Sequence, residues 1–277
     1  MQEIPQLIQA AILGLMQGLA EFLPISSSAH LVIIPEILGW PYLGKSFDVA
    51  LHFGTLLALV AIFRDDIVTL LRGTKALLTP GVQAPDEETR LVKLLFVGCL
   101  PAAIIGLTFE DIIEEKLGGL FFVAAMLIAW AFLLEAADRE SPTRTRTIAD
   151  LTFRDALLIG CAQAAALMPG TSRSGSTITI ALFLGFTRTE AARFSFLLSL
   201  PVVAGASILK GLKLATETST LDILGPLMVG ILVSAVSGFL CIKLFLRYLQ
   251  SNSFRPFVVY RIVLGLFLLY WAATHGG

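Results

Sequence analysis

Charge is what this chain has least of: only 15% of its 277 residues are Asp, Glu, Lys or Arg, where a soluble domain carries roughly 25%. Together with 56% hydrophobic residues and a mean hydropathy of +0.83, that shortage excludes an ordinary soluble enzyme and points to an integral membrane protein. The net charge of −1 and the lack of a long basic or acidic tail leave nothing that would attract nucleic acid. The N-terminus lacks a charged region followed by a small-residue cleavage pattern, so no removable signal peptide is expected. Cysteine is scarce too. Cys99, Cys161 and Cys241 fall in separate apolar stretches, an odd number without metal-ligand spacing, and read as packing residues.

What is present is apolar sequence in long runs. Six stretches, roughly 47–63, 92–109, 119–136, 194–212, 222–245 and 257–274, approach the ~20 residues a spanning helix needs. Two further apolar regions, 6–38 and 155–186, are interrupted by Pro and Ser clusters. Irregular backbone at membrane depth is tolerated only inside protein or beside a wet cavity, so both read as re-entrant hairpins: helix in, polar tip, helix back. The fold class expected is an all-α integral membrane protein, a single membrane domain over 1–277. It holds two repeats, 1–138 and 150–277, each one re-entrant helical hairpin plus three transmembrane helices. Three spans is an odd number, so the second repeat inserts upside down, the inverted-repeat plan of many transporters. A plain bundle of eight spanning helices is the alternative, and it leaves His30 and Arg173 at membrane depth without a reason.

The distribution of positive charge sets the orientation. Segments 64–93, 137–154, 187–193 and 243–255 share one side and hold 14 Lys and Arg, against four (Lys45, Lys116, Lys210 and Lys213) on the other. The positive-inside rule makes the rich side cytoplasmic. Both termini and the first hairpin then face outward, and the second hairpin enters from the cytoplasm. Loop 80–90, with Pro80, Gly81 and Pro85, reads as a solvated connector.

The two hairpins echo each other. Gly14-x-x-Gln17 leads through Pro24 to Ser26-Ser27-Ser28; Gly160-x-x-Gln163 leads through Pro169 to Thr171-Ser172-Arg173-Ser174. Ser27 and Ser172 each stand three residues past the proline, an alignment that needs one gap. Helices broken at corresponding places in two halves point to a membrane binding site.

At the first tip, Gln17 and Glu21 are four apart and share a helical face. One carboxylate and one amide oxygen, completed by phosphate oxygens, suit a divalent cation, Mg²⁺ or Ca²⁺. A structural ion pair between Glu21 and Arg173 is the competing reading. His30 follows Ser27 by three residues, which on a helical turn brings an imidazole near a hydroxyl, the pairing that activates a serine nucleophile; Ser26–Ser28 are equally suited to be helix caps. The second tip, Pro169-Gly-Thr-Ser-Arg-Ser-Gly-Ser-Thr177, combines hydroxyls, a guanidinium and a restarting helix into an anion cradle. A small-residue packing seam is its alternative. Asp48, His52 and Glu135 are isolated polar residues within apolar spans and read as intramembrane hydrogen bonders without a direct role.

These residues carry a resemblance. The chain resembles the undecaprenyl-diphosphate phosphatase family of bacterial membranes, also called the bacitracin-resistance family. Gln17 and Glu21 match its (Glu or Gln)-x-x-x-Glu signature, and 169–177 matches Pro-Gly-x-Ser-Arg-Ser-x-x-Thr at every position. The Phe22-Leu-Pro-Ile-Ser-Ser run and His30 are similar too, and the likeness runs the length of the chain. Gln17 stands where many members have Glu, and Ser28-Ala29 where Thr-Gly is common. The resemblance implies hydrolysis of a polyprenyl diphosphate to the monophosphate and inorganic phosphate, recycling a lipid carrier for cell-wall synthesis. It implies a bacterial inner membrane location and a metal-dependent site opening to the outer face. It assigns Gln17 and Glu21 to the metal, Ser27 to the nucleophile and His30 to the general base or acid. Arg173, Ser172 and Thr177 hold the diphosphate, with Ser26, Thr171 and Ser174 completing the substrate site.

Two function classes follow. An enzyme uses every polar residue at the tips: metal, Arg173, Ser27 and His30. An inverted-repeat transporter or flippase of an anionic lipid or small anion needs the anion cradle but has little use for a Ser/His pair beside a metal site. The partners expected are the membrane and a long-chain polyprenyl diphosphate, with a homodimer as an option.

Overall fold

Among the described residues, two consecutive pairs of helices are too short to cross a bilayer. The computed structural model describes residues 6–139, 143–215 and 224–275, and all its regular elements there are helical: α1 (Gln6–Ala20), α2 (Ser27–Leu38), α3 (Lys45–Ile62), α4 (Arg64–Leu78), α5 (Asp86–Leu117), α6 (Leu120–Arg139), α7 (Phe153–Ala165), α8 (Arg173–Phe183), α9 (Arg188–Ala215), α10 (Leu224–Leu249) and α11 (Arg255–His275). The short pairs are α1 and α2, of 15 and 12 residues, and α7 and α8, of 13 and 11. At ~1.5 Å per residue none reaches the ~30 Å of hydrocarbon.

All six apolar stretches fall on helices. Among the described residues, five helices are long and apolar enough to cross a membrane: Asp86–Phe109, Leu120–Arg139, Arg188–Ile208, Leu224–Leu249 and Arg255–His275. The sixth stretch, on α3, turns through 87° into α4. The chain is thus an all-helical, multi-pass membrane protein. α4 was not expected, since its charges (Arg64, Asp65, Asp66, Arg72 and Lys75) read as loop; its apolar residues recur at helical spacing and it packs on α5. The connector read as 80–90 is shorter, because α5 begins at Asp86 with three acids in its first turn, where they oppose the helix dipole favourably. The side chains of Lys45, Lys116, Lys210 and Lys213 and both chain ends lie outside the described residues.

The breaks have local causes. Pro24 and Pro169 each lack the N–H that would continue a helix. Ser26 and Ser172, directly before α2 and α8, have φ of 72° and 71° and are the only positive-φ residues other than glycine among those described. Each such conformation costs about 1–3 kcal/mol, so the surroundings must hold it. The side chain of Ser172 caps α8, accepting from the Gly175 N–H at 3.1 Å, whereas Ser26 makes no side-chain cap. Entry to α7 is fixed by a capping box between Thr152 and Asp155.

Packing is reciprocal between the halves. α1 lies along α10 and α7 lies along α5, while α3 meets α9 and α6 meets α11. In both hairpins a glycine permits the approach: a Cβ on Gly14 would sit 2.8 Å from the Gly230 carbonyl oxygen, and one on Gly160 would sit 2.3 Å from that of Gly98. Close backbone contact through small residues is how membrane helices gain packing energy without a hydrophobic driving force. Beneath the first tip, Phe22 meets Phe196 edge-on at 5.4 Å, within a buried cluster that includes Phe63, Phe245 and Phe254.

Candidate functional site

The break after α1 turns Glu21 inward. It is 6% exposed, and three donors reach its carboxylate. The Arg173 Nη2 donates to Oε1 at 3.0 Å, and the Ser27 hydroxyl and Gln17 amide donate to Oε2 at 2.8 and 3.1 Å. The His52 Nε2 lies 3.6 Å from the same Oε2. A buried carboxylate without such partners would be expensive. Arg173, the first residue of α8, also donates from Nη1 to the Ser195 carbonyl at 3.2 Å, and its Nε is buried without a partner. The two tips therefore meet through an ion pair formed across 152 residues of sequence.

Beside this pair opens a cavity of about 250 Å³ whose polar wall is Glu21, Ser27, Ser28, His52, Ser172 and Arg173. The rest of the lining is mostly apolar: Ala166, Val49 on α3, and Val202, Val203, Ala206 and Ser207 on α9. The cavity thus joins polar groups suited to a compact anion with side chains suited to hydrocarbon.

Among the residues singled out from sequence, Gln17, Glu21, Ser27, Ser172 and Arg173 converge here. Others are placed elsewhere. The His30 Nδ1 faces the Ser26 carbonyl at 2.7 Å and its Nε2 faces the Tyr260 hydroxyl at 2.6 Å, so the expected imidazole–hydroxyl contact with Ser27 is replaced by Ser27–Glu21. Both residues lie on α2, but Ser27, at its first position, reaches back to Glu21 just past α1, while His30 turns to Tyr260 on α11. Thr177 is fully buried and pairs with the Ser195 hydroxyl at 2.7 Å. Ser174 donates to the Leu23 carbonyl at 3.0 Å, tying the second tip to the first. Ser26 pairs with Ser28 at 3.2 Å, and buried Thr171 has no side-chain partner. These four support the tips and do not line the cavity.

The register of the repeat also differs from the proline-based alignment. Ser26 matches Ser172 in backbone, and the hydroxyl pairs Ser26–Ser28 and Ser172–Ser174 span 3.2 and 3.3 Å. Counted from Gly14 and Gly160, this match needs no gap; the prolines are what shifted by one residue. Ser27 thus corresponds to Arg173, not to Ser172.

Reading the sequence missed two residues and gave a third no direct role. His52, read as an intramembrane hydrogen bonder, lies on α3 and faces Glu21. Tyr260 holds His30, and Arg261, fully buried, donates to both tips. The signal for Arg261 was a cation in the middle of the apolar stretch 257–274.

A cation site can be tested against this geometry. The Gln17 Oε1 is buried without a hydrogen-bond partner, beside the Glu21 carboxylate and the Ser27 hydroxyl. An orphaned acceptor next to a carboxylate is the donor chemistry a hard divalent ion takes, so the residues fit one. No group of three or more His, Cys, Asp or Glu suited to a metal occurs among the described residues; the remaining ligands would be substrate oxygens and water.

The family model of bacitracin resistance protein BacA matches residues 10–267. A protein from Geobacter sulfurreducens named undecaprenyl-diphosphatase is 51% identical over 260 residues, covering 94% of this chain and 96% of its own. Proteins of the same name from Hahella chejuensis and Teredinibacter turnerae are 48% and 47% identical, covering 95% of this chain and 97% and 98% of theirs. The chain belongs to the BacA family.

Proposed function

We propose that this member of the BacA family is a polyprenyl-diphosphate phosphatase, hydrolysing undecaprenyl diphosphate to the monophosphate and inorganic phosphate in a bacterial plasma membrane. The observation that carries this reading is the Ser27–Glu21–Arg173 constellation, in which a hydroxyl, its proton acceptor and a planar phosphate donor come from two tips into one cavity. The relatives' shared name supplies the substrate class.

Arg173 grips the terminal phosphate with Nε and an Nη, leaving Glu21 as the diphosphate replaces it. The Ser27 oxygen attacks the terminal phosphorus, its proton passing to Glu21 at 2.8 Å. The phosphoanhydride P–O bond breaks, and polyprenyl monophosphate leaves. Glu21 gives up that proton through His52 to solvent before water hydrolyses the phosphoserine; it then takes the water's proton and returns it to the Ser27 oxygen as the serine P–O bond breaks and inorganic phosphate leaves. His52, beside Glu21 and open to the cavity, carries protons towards solvent. Glu21 and the free Gln17 oxygen hold a divalent cation, Mg²⁺ or Ca²⁺, which when bound supplies charge neutralisation for the diphosphate. The apolar wall of α3 and α9 takes the first isoprene units.

The short helix pairs support reading the tips as re-entrant hairpins, and the reciprocal packing supports the inverted repeat with the site where its halves meet. The loop charges support a cytoplasmic basic side and a site opening outward.

Detergent-solubilised protein with farnesyl diphosphate and Mg²⁺ tests the reading. Release of inorganic phosphate, abolished by chelator, is the expected result. Tight binding without phosphate release would favour the transporter that the repeat plan also suits.

A further inference from the structure

Arg261 stands mid-way along α11, 0% exposed, and every hydrogen bond it makes is to a main-chain carbonyl. Its Nη1 donates to Pro24 at 3.1 Å, and its Nη2 donates to Gly170 and Thr171 at 3.2 and 2.9 Å. Its Nε and Nη2 reach Leu127 and Met126 on α6 at 3.0 and 3.4 Å. One planar guanidinium thus binds the chain just before both strained serines, Ser26 and Ser172. Its neighbour Tyr260 reaches the first tip by a second route, through His30 to the Ser26 carbonyl. The tips themselves carry few other contacts across their junction: Arg173 to Glu21 and Ser174 to Leu23.

We infer that Arg261 is a positioning residue that sets the register between the two tips, so that Glu21 and Ser27 of one face Arg173 of the other. Its role in turnover rests on the phosphatase reading; its role in geometry does not. The guanidinium satisfies carbonyls that broken helices leave open at a depth where no bulk water can. It does so with five N–H groups fixed in one plane. Lysine offers a point donor, which can serve one tip at a time. Burial among carbonyls, away from the cavity lining, separates Arg261 from Arg173, which faces the substrate.

The test compares wild type with Arg261→Lys and Gly175→Ala. A Cβ on Gly175 would lie 2.7 Å from the Arg261 Nη1, so this change displaces the guanidinium without removing it. Phosphate release is measured per folded molecule, with thermal melts alongside. Both variants are expected to lose at least tenfold in kcat with KM changed less than threefold. A raised KM at unchanged kcat would make Arg261 a substrate contact, and normal specific activity with a lowered Tm would make it a structural residue; either overturns the inference. An electron paramagnetic resonance distance between nitroxides at Ser28 and Leu167 gives a readout independent of turnover. The tip-to-tip distribution is expected to broaden in Arg261→Lys, and an unchanged distribution overturns the inference even where no hydrolysis is seen. Should Arg261→Lys fail to fold, Gly175→Ala carries both measurements, and a fully active Gly175→Ala protein with an unchanged distribution overturns it.

Discussion

At the first tip Ser26, and at the second Ser172, take the same strained backbone conformation, pair with a serine two residues on and precede a short helix. Yet the residue that follows is Ser27 in one and Arg173 in the other. Four residues past the shared Gln the difference repeats: Glu21 on one side, Leu167 on the other. One backbone device, used twice, therefore presents an acid and a hydroxyl from the first half and a cation from the second. The lesson is electrostatic. Two identical tips brought together in a poorly solvated place would oppose like charges, where repulsion is strong; these complementary tips neutralise each other. Divergence of side chains on a common backbone is what makes the junction asymmetric.

The sharpest way to break the comparison is to change matched positions. Ser27→Ala and Glu21→Gln are expected to lose at least about a hundredfold in kcat, the size typical of removing a proton-transfer or attacking group, whereas Ser26→Ala and Ser172→Ala remain well above that. Phosphate-release kinetics on all four decide it, and equal small losses would remove Ser27 from the nucleophile role.

Arg173→Lys keeps the charge and loses the fork. About tenfold to a hundredfold should go from kcat/KM, matching the ~1.5–3 kcal/mol of a charge-assisted hydrogen bond. A purely structural ion pair predicts instead a lowered Tm that Glu21→Gln partly restores, so turnover and melting of single and double mutants separate the two roles.

Smaller effects probe the scaffold. Gly14→Ala and Gly160→Ala each drive a Cβ into opposing backbone, at 2.8 and 2.3 Å. Overpacking of this kind costs roughly 1–3 kcal/mol, and Gly160→Ala is expected to lower Tm more. Equal Tm losses would mean that the two hairpins are equally tight.

The smallest effect is a pH dependence confined to the second hairpin. Burial pushes the Asp155 carboxyl up, but donors from Arg146, at 2.6 Å, and Thr152 outweigh it and hold it below the usual carboxylate range. A depressed folded pKa adds stability that is complete above the ordinary Asp value and lost as pH falls through the lower one. Melting between pH 5 and pH 3 should therefore weaken more steeply in wild type than in Asp155→Asn; parallel curves would discount this anchor.

Much of this was legible in order. The apolar stretches had the length and composition of spans, and Pro24 and Pro169 marked the breaks because a missing N–H acts locally. Gln17, Glu21 and Arg173 stood out because charge and amide in apolar sequence need partners wherever the chain goes. Spacing alone misled at His30: Ser27 and His30 do lie three apart on α2, but each side chain takes a partner from another part of the chain, Ser27 from Glu21 and His30 from Tyr260.

The sequence by itself determined that this chain is helical and membrane-embedded, where its helices break and which polar residues sit at the breaks, since periodicity, hydropathy and proline act within a few residues. Only the tertiary structure decided that Glu21 meets Arg173, that His52 joins them and that Arg261 grips both tips. Those contacts join residues about 30 to 240 positions apart, and their partners are main-chain carbonyls or side chains whose positions no local pattern records.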